Sequence, residues 1–276
     1  MRRLLVLILV AFAVCSFYFV SVRADDATPE ATADPIEVLV PEVLNVYPHD
    51  SESYTQGLLL HDGVFYESAG LHGKSQSSLR RVDPTTGEVL QRLDIPEEYF
   101  GEGLALVDDR LIQLTWKGQT AFVYDLATFE QVGTFNYEGE GWGLCYDGDA
   151  LYMSDGSPII TVRDPETFEP TARILVTFQD QLVKRLNELE CVGDAIYANV
   201  WLTPYIVRID KATGVIDGVI DAAGLLTPEE VEQLDGDNDA VLNGIAYDPE
   251  NDVFYITGKL WPHVFEVRFV PGEPQG

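Results

Sequence analysis

Apolar and polar positions along the chain repeat one pattern five times. Each copy starts with a three-residue motif that ends in Leu or Ile and continues as a short apolar stretch. The motifs begin 46, 40, 45 and 56 residues apart, and they are Gln56-Gly57-Leu58, Glu102-Gly103-Leu104, Trp142-Gly143-Leu144, Asn187-Glu188-Leu189 and Asn243-Gly244-Ile245. A self-similar period of this length predicts an array of equivalent structural units.

Each unit predicts short β-strands separated by turns. The first apolar stretch ends at pairs such as Asp147-Gly148, and such pairs between apolar runs predict β-hairpins. After a second apolar run, a third run ends in an aspartate that precedes a threonine-led turn, as at Asp125 and Thr128. A fourth strand-like run follows in four of the units. Because four strands in about 40 to 45 residues are typical of a propeller blade, we expect an all-β, five-bladed β-propeller.

The last unit stops after its third predicted strand, His263 to Val270. The N-terminal run from Glu37 to Tyr47 is strand-like and belongs to no unit. We predict that it supplies the outer strand of the final blade and closes the ring, which would protect the sheet edges. A peripheral strand on another blade is the alternative.

One insertion lengthens the spacing before the last unit. Residues 226–232 predict a short helix with Thr227 as N-cap and Pro228 at its first position. Residues 235–239 then resemble the opening of a calcium loop, but Ala246 stands where the bidentate glutamate is expected. The pattern therefore favours a solvated acidic loop over a structural calcium site.

The first residues predict an export signal. Arg2 and Arg3 precede an uncharged, mostly apolar run, and Val22-Arg23-Ala24 matches a signal-peptidase site. We interpret residues 1–24 as a cleaved signal peptide rather than an uncleaved anchor, residues 25–36 as a disordered tether, and residues 37–276 as the propeller domain. The expected location is the periplasm or the outside of the cell, and an uncleaved signal would be the one membrane attachment.

The charge of the chain and its cysteine and histidine content bear on its partners, a disulfide and a metal site. The 276 residues include 46 Asp and Glu against 17 Lys and Arg, a net charge of −29, which argues against nucleic acid as a partner. We expect a monomer. Cys145 and Cys191 remain after the signal and could form a disulfide, although the sequence leaves this open. The four histidines are scattered, so a His-rich metal site is not expected.

The repeat register predicts a polar ring. In a propeller the first strand of each blade lines a central channel, and one mouth of that channel usually holds the ligand. Taken alone, Glu102 between two glycines also fits an exposed acid at a strand edge. The register instead makes Glu102 the one acid in a ring of five equivalent positions, which are Gln56, Glu102, Trp142, Asn187 and Asn243.

The second strands add three side chains to the same mouth. Counting five residues on from the starts of these strands reaches Trp116, Trp201 and Lys259. Together with Trp142, the two tryptophans predict an aromatic cage. Such a cage suits a cation, for example the α-ammonium group of a peptide.

Six motifs with these residues occur in the order Tyr54-Thr55-Gln56-Gly57-Leu58, Phe100-Gly101-Glu102-Gly103-Leu104, Gly141-Trp142-Gly143-Leu144, Leu186-Asn187-Glu188-Leu189-Glu190, Leu242-Asn243-Gly244-Ile245-Ala246 and Thr257-Gly258-Lys259-Leu260-Trp261-Pro262. Over about residues 44 to 269 the chain resembles the plant-latex and bacterial glutaminyl cyclases, five-bladed propellers unrelated to the animal zinc-dependent cyclases. Tyr54 departs from the family, whose members often have Phe there.

The resemblance implies an enzyme that converts N-terminal glutamine of peptides or proteins to pyroglutamate and releases ammonia, without a cofactor or metal. The substrate's own α-amine attacks its γ-amide carbonyl, so no serine or cysteine nucleophile is needed. Glu102 corresponds to the proton-shuttling glutamate of the family, and Asn187 and Lys259 are assigned with it as catalytic. The substrate-binding residues that we assign are Tyr54, Gln56, Phe100, Trp116, Trp142, Trp201 and Asn243.

The sequence leaves two details of this site open, the oxyanion donor and the pKa of Glu102. Lys259, Asn187, Gln56 and the tryptophan N–H groups are all available donors to the oxyanion. Burial would raise the pKa of Glu102 while Lys259 would lower it, and the balance is undetermined. The glycines beside Glu102 are expected to let a peptide N-terminus come close.

Two rival functions fit a propeller with this channel. A metal-dependent lactonase would hold a central calcium ion among acids and amides, but Glu102 is the one acid at the five ring positions. A non-catalytic propeller that binds peptide N-termini would use the same cage and release no ammonia.

Overall fold

The computed structural model describes residues 36–70, 76–234 and 239–273. These residues belong to one compact unit, Pro35–Gly276. The predicted signal peptide, nearly all of the predicted tether and residues 235–238 of the acidic loop lie outside the described residues. Strands dominate the described part, which confirms the prediction of an all-β chain.

The strands and the one helix of the described residues follow each other along the chain. They are β1 (Glu37–Pro48), β2 (Tyr54–His61), β3 (Val64–Gly70), β4 (Ser78–Val82), β5 (Val89–Asp94), β6 (Gly101–Val107), β7 (Arg110–Thr115), β8 (Thr120–Asp125), β9 (Gln131–Asn136), β10 (Leu144–Tyr146), β11 (Leu151–Met153), β12 (Ile159–Arg163), β13 (Pro170–Leu175), β14 (Thr177–Phe178), β15 (Gln181–Leu182), β16 (Leu186–Val192), β17 (Ala195–Val200), β18 (Tyr205–Asp210), β19 (Ile216–Asp221), α1 (Pro228–Leu234), β20 (Leu242–Asp248), β21 (Val253–Gly258) and β22 (His263–Pro271).

The first three units each form a separate four-stranded antiparallel sheet. These sheets are β2 to β5, β6 to β9 and β10 to β13, each in sequence order. An eight-stranded sheet in the order β16-β17-β18-β19-β1-β22-β21-β20 contains the last two units. A small hairpin, β14-β15, lies between the third and fourth units in the chain.

The N-terminal strand joins the two halves of the eight-stranded sheet. β1 pairs antiparallel with β22 along most of its length, from Leu39 opposite Pro271 to Pro48 opposite His263. At its start it also pairs in parallel with β19, where Glu37 lies opposite Gly218. The three strands of the last unit therefore gain β1 as a fourth, outer strand.

The aspartate and threonine that recur after each third strand build one type of turn. In the first unit the Asp83 carboxylate accepts hydrogen bonds from the backbone N–H of Thr85 and Thr86 and from the Thr86 hydroxyl, at 2.8 to 3.0 Å. These bonds lower the pKa of Asp83. Equivalent turns form at Asp125, Asp164 and Asp210.

Hydrophobic clusters lie between successive sheets. Leu104 of β6 packs with Leu59 of β2, whereas its neighbour Ala105 packs with Leu144 of β10. Alternate side chains of an inner strand thus face the sheets on either side of it. Further clusters join β10 to β16 and β2 to β20 through buried pairs, Cys145 with Leu189 and Leu58 with Ala246.

The glycines of the repeated motifs bring the inner strands into contact. A Cβ atom on Gly103 would lie 2.6 Å from the backbone nitrogen of Leu144, and one on Gly143 would lie 2.0 Å from the carbonyl oxygen of Asn187. A Cβ on Gly101 would likewise meet protein atoms, the nearest being Nε2 of Gln113 at 3.0 Å. The expectation that these glycines admit a peptide was wrong, because their space is taken by neighbouring protein.

Glu188 replaces the glycine in the fourth motif and ties three units together. Its buried carboxylate accepts hydrogen bonds from the backbone N–H groups of Leu58 at 3.3 Å and Ile245 at 2.9 Å. Burial and the nearby Glu190 raise the pKa of Glu188 well above its ordinary value. This acid therefore connects β16 with β2 and with β20.

A disulfide joins two of these inner strands. Cys145 of β10 and Cys191 of β16 are bonded, with their Cα atoms 5.5 Å apart. This answers the question that the sequence left open. In the described part of the chain, no helix has the length and apolar character needed to cross a membrane.

Candidate active site

Nine of the ten side chains assigned from the sequence line one cavity of about 330 Å³. They come from all five units, on inner strands and on the loops beside them, and Asp239 completes the lining. The residues are Tyr54, Gln56, Phe100, Glu102, Trp116, Trp142, Asn187, Trp201, Asp239 and Lys259.

Asn243 is the assigned residue that does not line the cavity. It is buried, and its side-chain amide donates hydrogen bonds to the backbone oxygen of Thr55 at 2.9 Å and to Oε1 of Gln56 at 3.2 Å. Its contacts therefore orient Gln56, which does line the cavity.

Irregular strand ends present the ring residues. The pairing of the inner strands β2, β6, β16 and β20 with their neighbours shifts register at Gln56, at Glu102, at Asn187 and at Asn243. A bulge of this kind bends the strand and re-aims its side chains. Trp116, Trp201 and Lys259 are each the first residue after the second strand of their unit.

Glu102 is buried, with 4% of its surface exposed, and carries no compensating hydrogen bond from the described residues. Burial raises the pKa of its carboxyl well above the ordinary value of 4.5. Attraction to Lys259 opposes this rise, and repulsion from Glu140 adds to it. Burial thus dominates the balance that the sequence left undetermined.

Lys259 is the cation of the cavity and is only 3% exposed. Burial lowers the pKa of its ammonium group, while attraction to Glu102 and to Asp239 opposes that shift. The Nζ atom lies 4.8 Å from the centre of the Tyr54 ring. The backbone N–H of Lys259 donates to the carbonyl of Val241 at 2.9 Å, which anchors this residue to the insertion.

Aromatic rings form the wall of the cavity. The ring pairs Tyr54–Phe100 and Phe100–Trp116 meet edge to face, with centres 6.1 and 5.9 Å apart. Trp142 and Trp201 meet in the same way at 5.5 Å. Edge-to-face contacts of this kind stabilise aromatic pairs beyond the area that they bury.

Glu140 is a residue of the site that the sequence interpretation missed. Its Oε2 accepts hydrogen bonds from Nε1 of Trp116 at 2.7 Å and from Nε1 of Trp142 at 3.0 Å. The expectation that every tryptophan N–H is available to the oxyanion was therefore wrong for these two. Glu140 lies outside the repeat register, and so the register could not point to it.

Two buried polar atoms of the lining have no hydrogen-bond partner among the described residues. They are Nε1 of Trp201, a donor, and Oδ1 of Asn187, an acceptor. Leaving a buried polar atom unpaired costs about 1 to 3 kcal/mol. A bound molecule with an acceptor and a donor at these places would remove that cost.

Asp239 was also missed as a site residue. It lines the cavity, and its charge raises the pKa of Lys259. From the sequence it belonged to a segment interpreted as a solvated acidic loop. Its place in the cavity depends on the path of the insertion between α1 and β20, which the strand pattern does not reveal.

A charged network beside the cavity holds two segments of its wall. The buried Glu67 carboxylate accepts hydrogen bonds from the hydroxyls of Ser53 and Thr55, both at 2.6 Å, and lies 3.1 Å from Nε2 of His49. Burial alone would raise the pKa of Glu67, but His49, Arg80 and the Ser53 hydroxyl outweigh it and lower the pKa to about 2. Tyr54 lies between the two hydroxyl residues.

The same network reaches the Lys259 segment. His49 Nδ1 lies 2.7 Å from the carbonyl oxygen of Trp261, and the backbone N–H of Leu260 donates to the carbonyl of Ser53 at 2.8 Å. In the described residues, no group of three or more His, Cys, Asp or Glu side chains could hold a metal ion.

Comparisons with known proteins identify the family. A family model described as glutamine cyclotransferase matches residues 14–269. The chain belongs to the glutamine cyclotransferase family. A relative from Arabidopsis thaliana, named glutaminyl-peptide cyclotransferase, is 39% identical over 234 residues, which are 82% of this chain and 70% of the relative.

A solved member of the glutamine cyclotransferase family has a similar fold. The crystal structure of Myxococcus xanthus glutaminyl cyclase matches with a TM-score of 0.77 and 36% identity, over 87% of this chain and 100% of that one. For a member of this family, the cavity around Glu102 is the candidate active site.

Proposed function

We propose that this chain is a glutaminyl-peptide cyclotransferase, which converts the N-terminal glutamine of peptides or proteins to pyroglutamate and releases ammonia. Membership of the family supports this function. The observation that carries it is a buried carboxyl with a raised pKa, Glu102, in an aromatic cavity that also holds a buried lysine.

In the proposed reaction the α-amine of the substrate attacks the carbonyl carbon of its own γ-amide. A C–N bond forms to close the five-membered ring, and the bond to the amide nitrogen breaks to release ammonia. Since both reacting groups belong to one residue, the enzyme has to fold the side chain back and move protons. Glu102 accepts the proton that the attacking nitrogen loses and returns it to the leaving nitrogen.

The unpartnered atoms of the lining suggest how the substrate is held. We assign Oδ1 of Asn187 as the acceptor for the α-amine, because it is a buried acceptor without a described partner. Nε1 of Trp201 and the Lys259 ammonium are the donors to the γ-carbonyl oxygen, where negative charge develops. Gln56 is held by Asn243 and is assigned to the backbone of the substrate.

The fold proposed for this function is a five-bladed propeller with β1 as the outer strand of the last blade. Its support is the division of the strands into five groups of four, with β1 completing the group of β20 to β22. Hydrophobic clusters join β2 to β6, β6 to β10, β10 to β16 and β20 to β2, and the hydrogen bond from the Ile245 N–H to Glu188 joins β16 to β20. These five contacts are those expected of a closed ring.

We also propose that the protein acts outside the cytoplasm, as an exported monomer. The bond between Cys145 and Cys191 supports the location outside the cytoplasm, because structural disulfides persist mainly in oxidising compartments.

An ammonia assay on Gln-initiated dipeptides tests the proposed function. Purified protein incubated with such a dipeptide is expected to release one ammonia for each pyroglutamyl product, measured by a coupled assay and by the mass loss of the peptide. Binding of the dipeptide without ammonia release would contradict the proposal and would favour the binding propeller.

A further inference from the structure

A second cavity of about 330 Å³ adjoins the candidate active site. None of the described residues that line it is charged, although 23% of the whole chain is. Its walls are mainly apolar side chains from the loop after β17, from the insertion, from the start of β20 and from the loop between β21 and β22. Among them are Leu202, Leu225, Leu226, Val231, Val241 and Trp261.

Residues one or two positions apart in the chain line the two cavities. Trp201 lines the first cavity and Leu202 lines the second. In the same way Asp239 and Lys259 line the first, while Val241 and Trp261, each two residues further on, line the second. Since successive Cα atoms are about 3.8 Å apart, the walls of the two cavities are close neighbours at these three places.

The wall formed by the insertion is held in place. Thr227 and Glu230 cap the start of α1 reciprocally, with the Thr227 N–H donating to Oε2 of Glu230 at 2.8 Å and the Glu230 N–H donating to the Thr227 hydroxyl at 3.3 Å. Oε1 of Glu230 also lies 2.6 Å from Nε2 of His263 in β22. Val231, on this helix, is 51% exposed.

We propose that the second cavity is the subsite for an apolar side chain of the peptide substrate. With the N-terminal glutamine as residue 1, that side chain belongs to residue 2 or residue 3. This inference rests on the proposed function. A peptide whose glutamine occupies the Glu102 cavity must continue past its wall, and the cavity beyond Trp201 offers uncharged surface to the next side chains. Half-exposed Leu202 and Val231 would then be covered by substrate.

The test compares three peptides, Gln-Leu-Gly-Gly, Gln-Gly-Leu-Gly and Gln-Gly-Gly-Gly. One of the two leucine peptides is expected to have a kcat/KM about tenfold higher than that of the all-glycine peptide. Burial of a leucine side chain changes a binding constant by at least about tenfold. Equal values for all three peptides would overturn the subsite.

Substitution of Val231 then locates the preference. Val231→Asp is expected to bring the kcat/KM of the preferred leucine peptide close to that of the all-glycine peptide. The variant should instead favour a peptide with lysine in place of that leucine. Val132→Asp is the matched control, because Val132 is a similarly exposed valine, 58% exposed, on strand β9 and lines neither cavity. A ratio that changes equally in both variants would overturn the proposal.

A second variant protects the test against misfolding. Leu202 has a φ of 63°, a conformation that asparagine tolerates well, so Leu202→Asn is expected to fold and to lower the same ratio. The outcomes also separate the two proposals. No ammonia from any peptide, including the all-glycine one, would refute the proposed function, whereas turnover without a leucine preference would refute the subsite alone.

Discussion

Glu102 and Glu67 are both buried carboxylates, yet their surroundings shift their pKa values in opposite directions. Glu67 is 1% exposed and Glu102 is 4% exposed, so burial penalises the charged form of both. Glu67 is compensated by two hydroxyls, His49 and Arg80, and its pKa falls to about 2. Attraction to Lys259 does not offset the burial of Glu102, and the pKa of Glu102 rises well above 4.5.

The difference separates a structural acid from a reactive one. A carboxylate that accepts several hydrogen bonds and faces positive charge holds its neighbours in place and resists protonation. A carboxyl that lacks such partners keeps its proton to a higher pH, and it can exchange that proton with a bound substrate, as general acid–base catalysis requires. The structural acid also supports the cavity of Glu102, because the Glu67 network holds the segments that carry Tyr54 and Lys259.

The largest expected effect is the loss of turnover in Glu102→Gln. We expect kcat/KM to fall by about 1000-fold, because the amide cannot accept and return the proton. Stability at neutral pH should equal or exceed that of the wild type, since a poorly solvated acid is removed. Ammonia release and urea unfolding measure the two quantities. Glu98→Gln, at an exposed acid just before the same motif, should change neither.

The second prediction reverses this pattern at the structural acid. Glu67→Gln is expected to lower the free energy of unfolding by about 3 kcal/mol, because His49 and Arg80 lose their buried partner. Any loss of activity should come from displacement of the cavity walls, and the pH profile of kcat/KM should keep its shape. An unchanged urea midpoint would show that the network does not stabilise the fold.

The pH dependence of stability should distinguish the same two acids. The folded pKa of Glu67 is lowered, so its contribution is present above the unfolded value near 4.5 and is lost as the pH falls towards about 2. The stability difference between wild type and Glu67→Gln should therefore shrink over that interval. The folded pKa of Glu102 is raised, so its contribution is complete below about 4.5 and is lost as the pH rises through the folded value. Unfolding midpoints measured at several pH values would reveal both trends.

The smallest effect is expected from Glu140→Gln. Its charge raises the pKa of Glu102, so its removal should move the acidic limb of the kcat/KM profile to lower pH. The maximal kcat/KM is also expected to fall about fivefold, because neutral hydrogen bonds replace charge-assisted ones to the indoles of Trp116 and Trp142. Glu138→Gln, at an exposed acid two residues away, is the control. An acidic limb that does not move would contradict the electrostatic link between Glu140 and Glu102.

Much of this molecule was predictable because the same unit recurs. The strand order of each unit follows from the spacing of its apolar runs, and the structure confirms four strands in each of the first four units. The pairing of β1 with β22 follows from the strand that the last unit lacks. The capped helix at Thr227 is also confirmed, since its signals are local in the sequence.

The candidate cavity was predictable for a related reason. In a repeated fold, equivalent positions point to the same place, and counting along the second strands was enough to find Trp116, Trp201 and Lys259. Residues outside the register were missed. Asp239 reaches the cavity, and Glu140 reaches two of its tryptophans, from loops whose course the repeat does not specify.

The sequence by itself determined the repeat, the strands, the ring of polar positions and the one acid in that ring, because each depends on the identity and spacing of residues. The tertiary structure alone decided that the glycines serve contact between strands, that two indoles are already bonded to Glu140, and that burial raises the pKa of Glu102. These properties depend on which atoms lie within a few ångströms and on how much water remains. Packing of distant segments sets both.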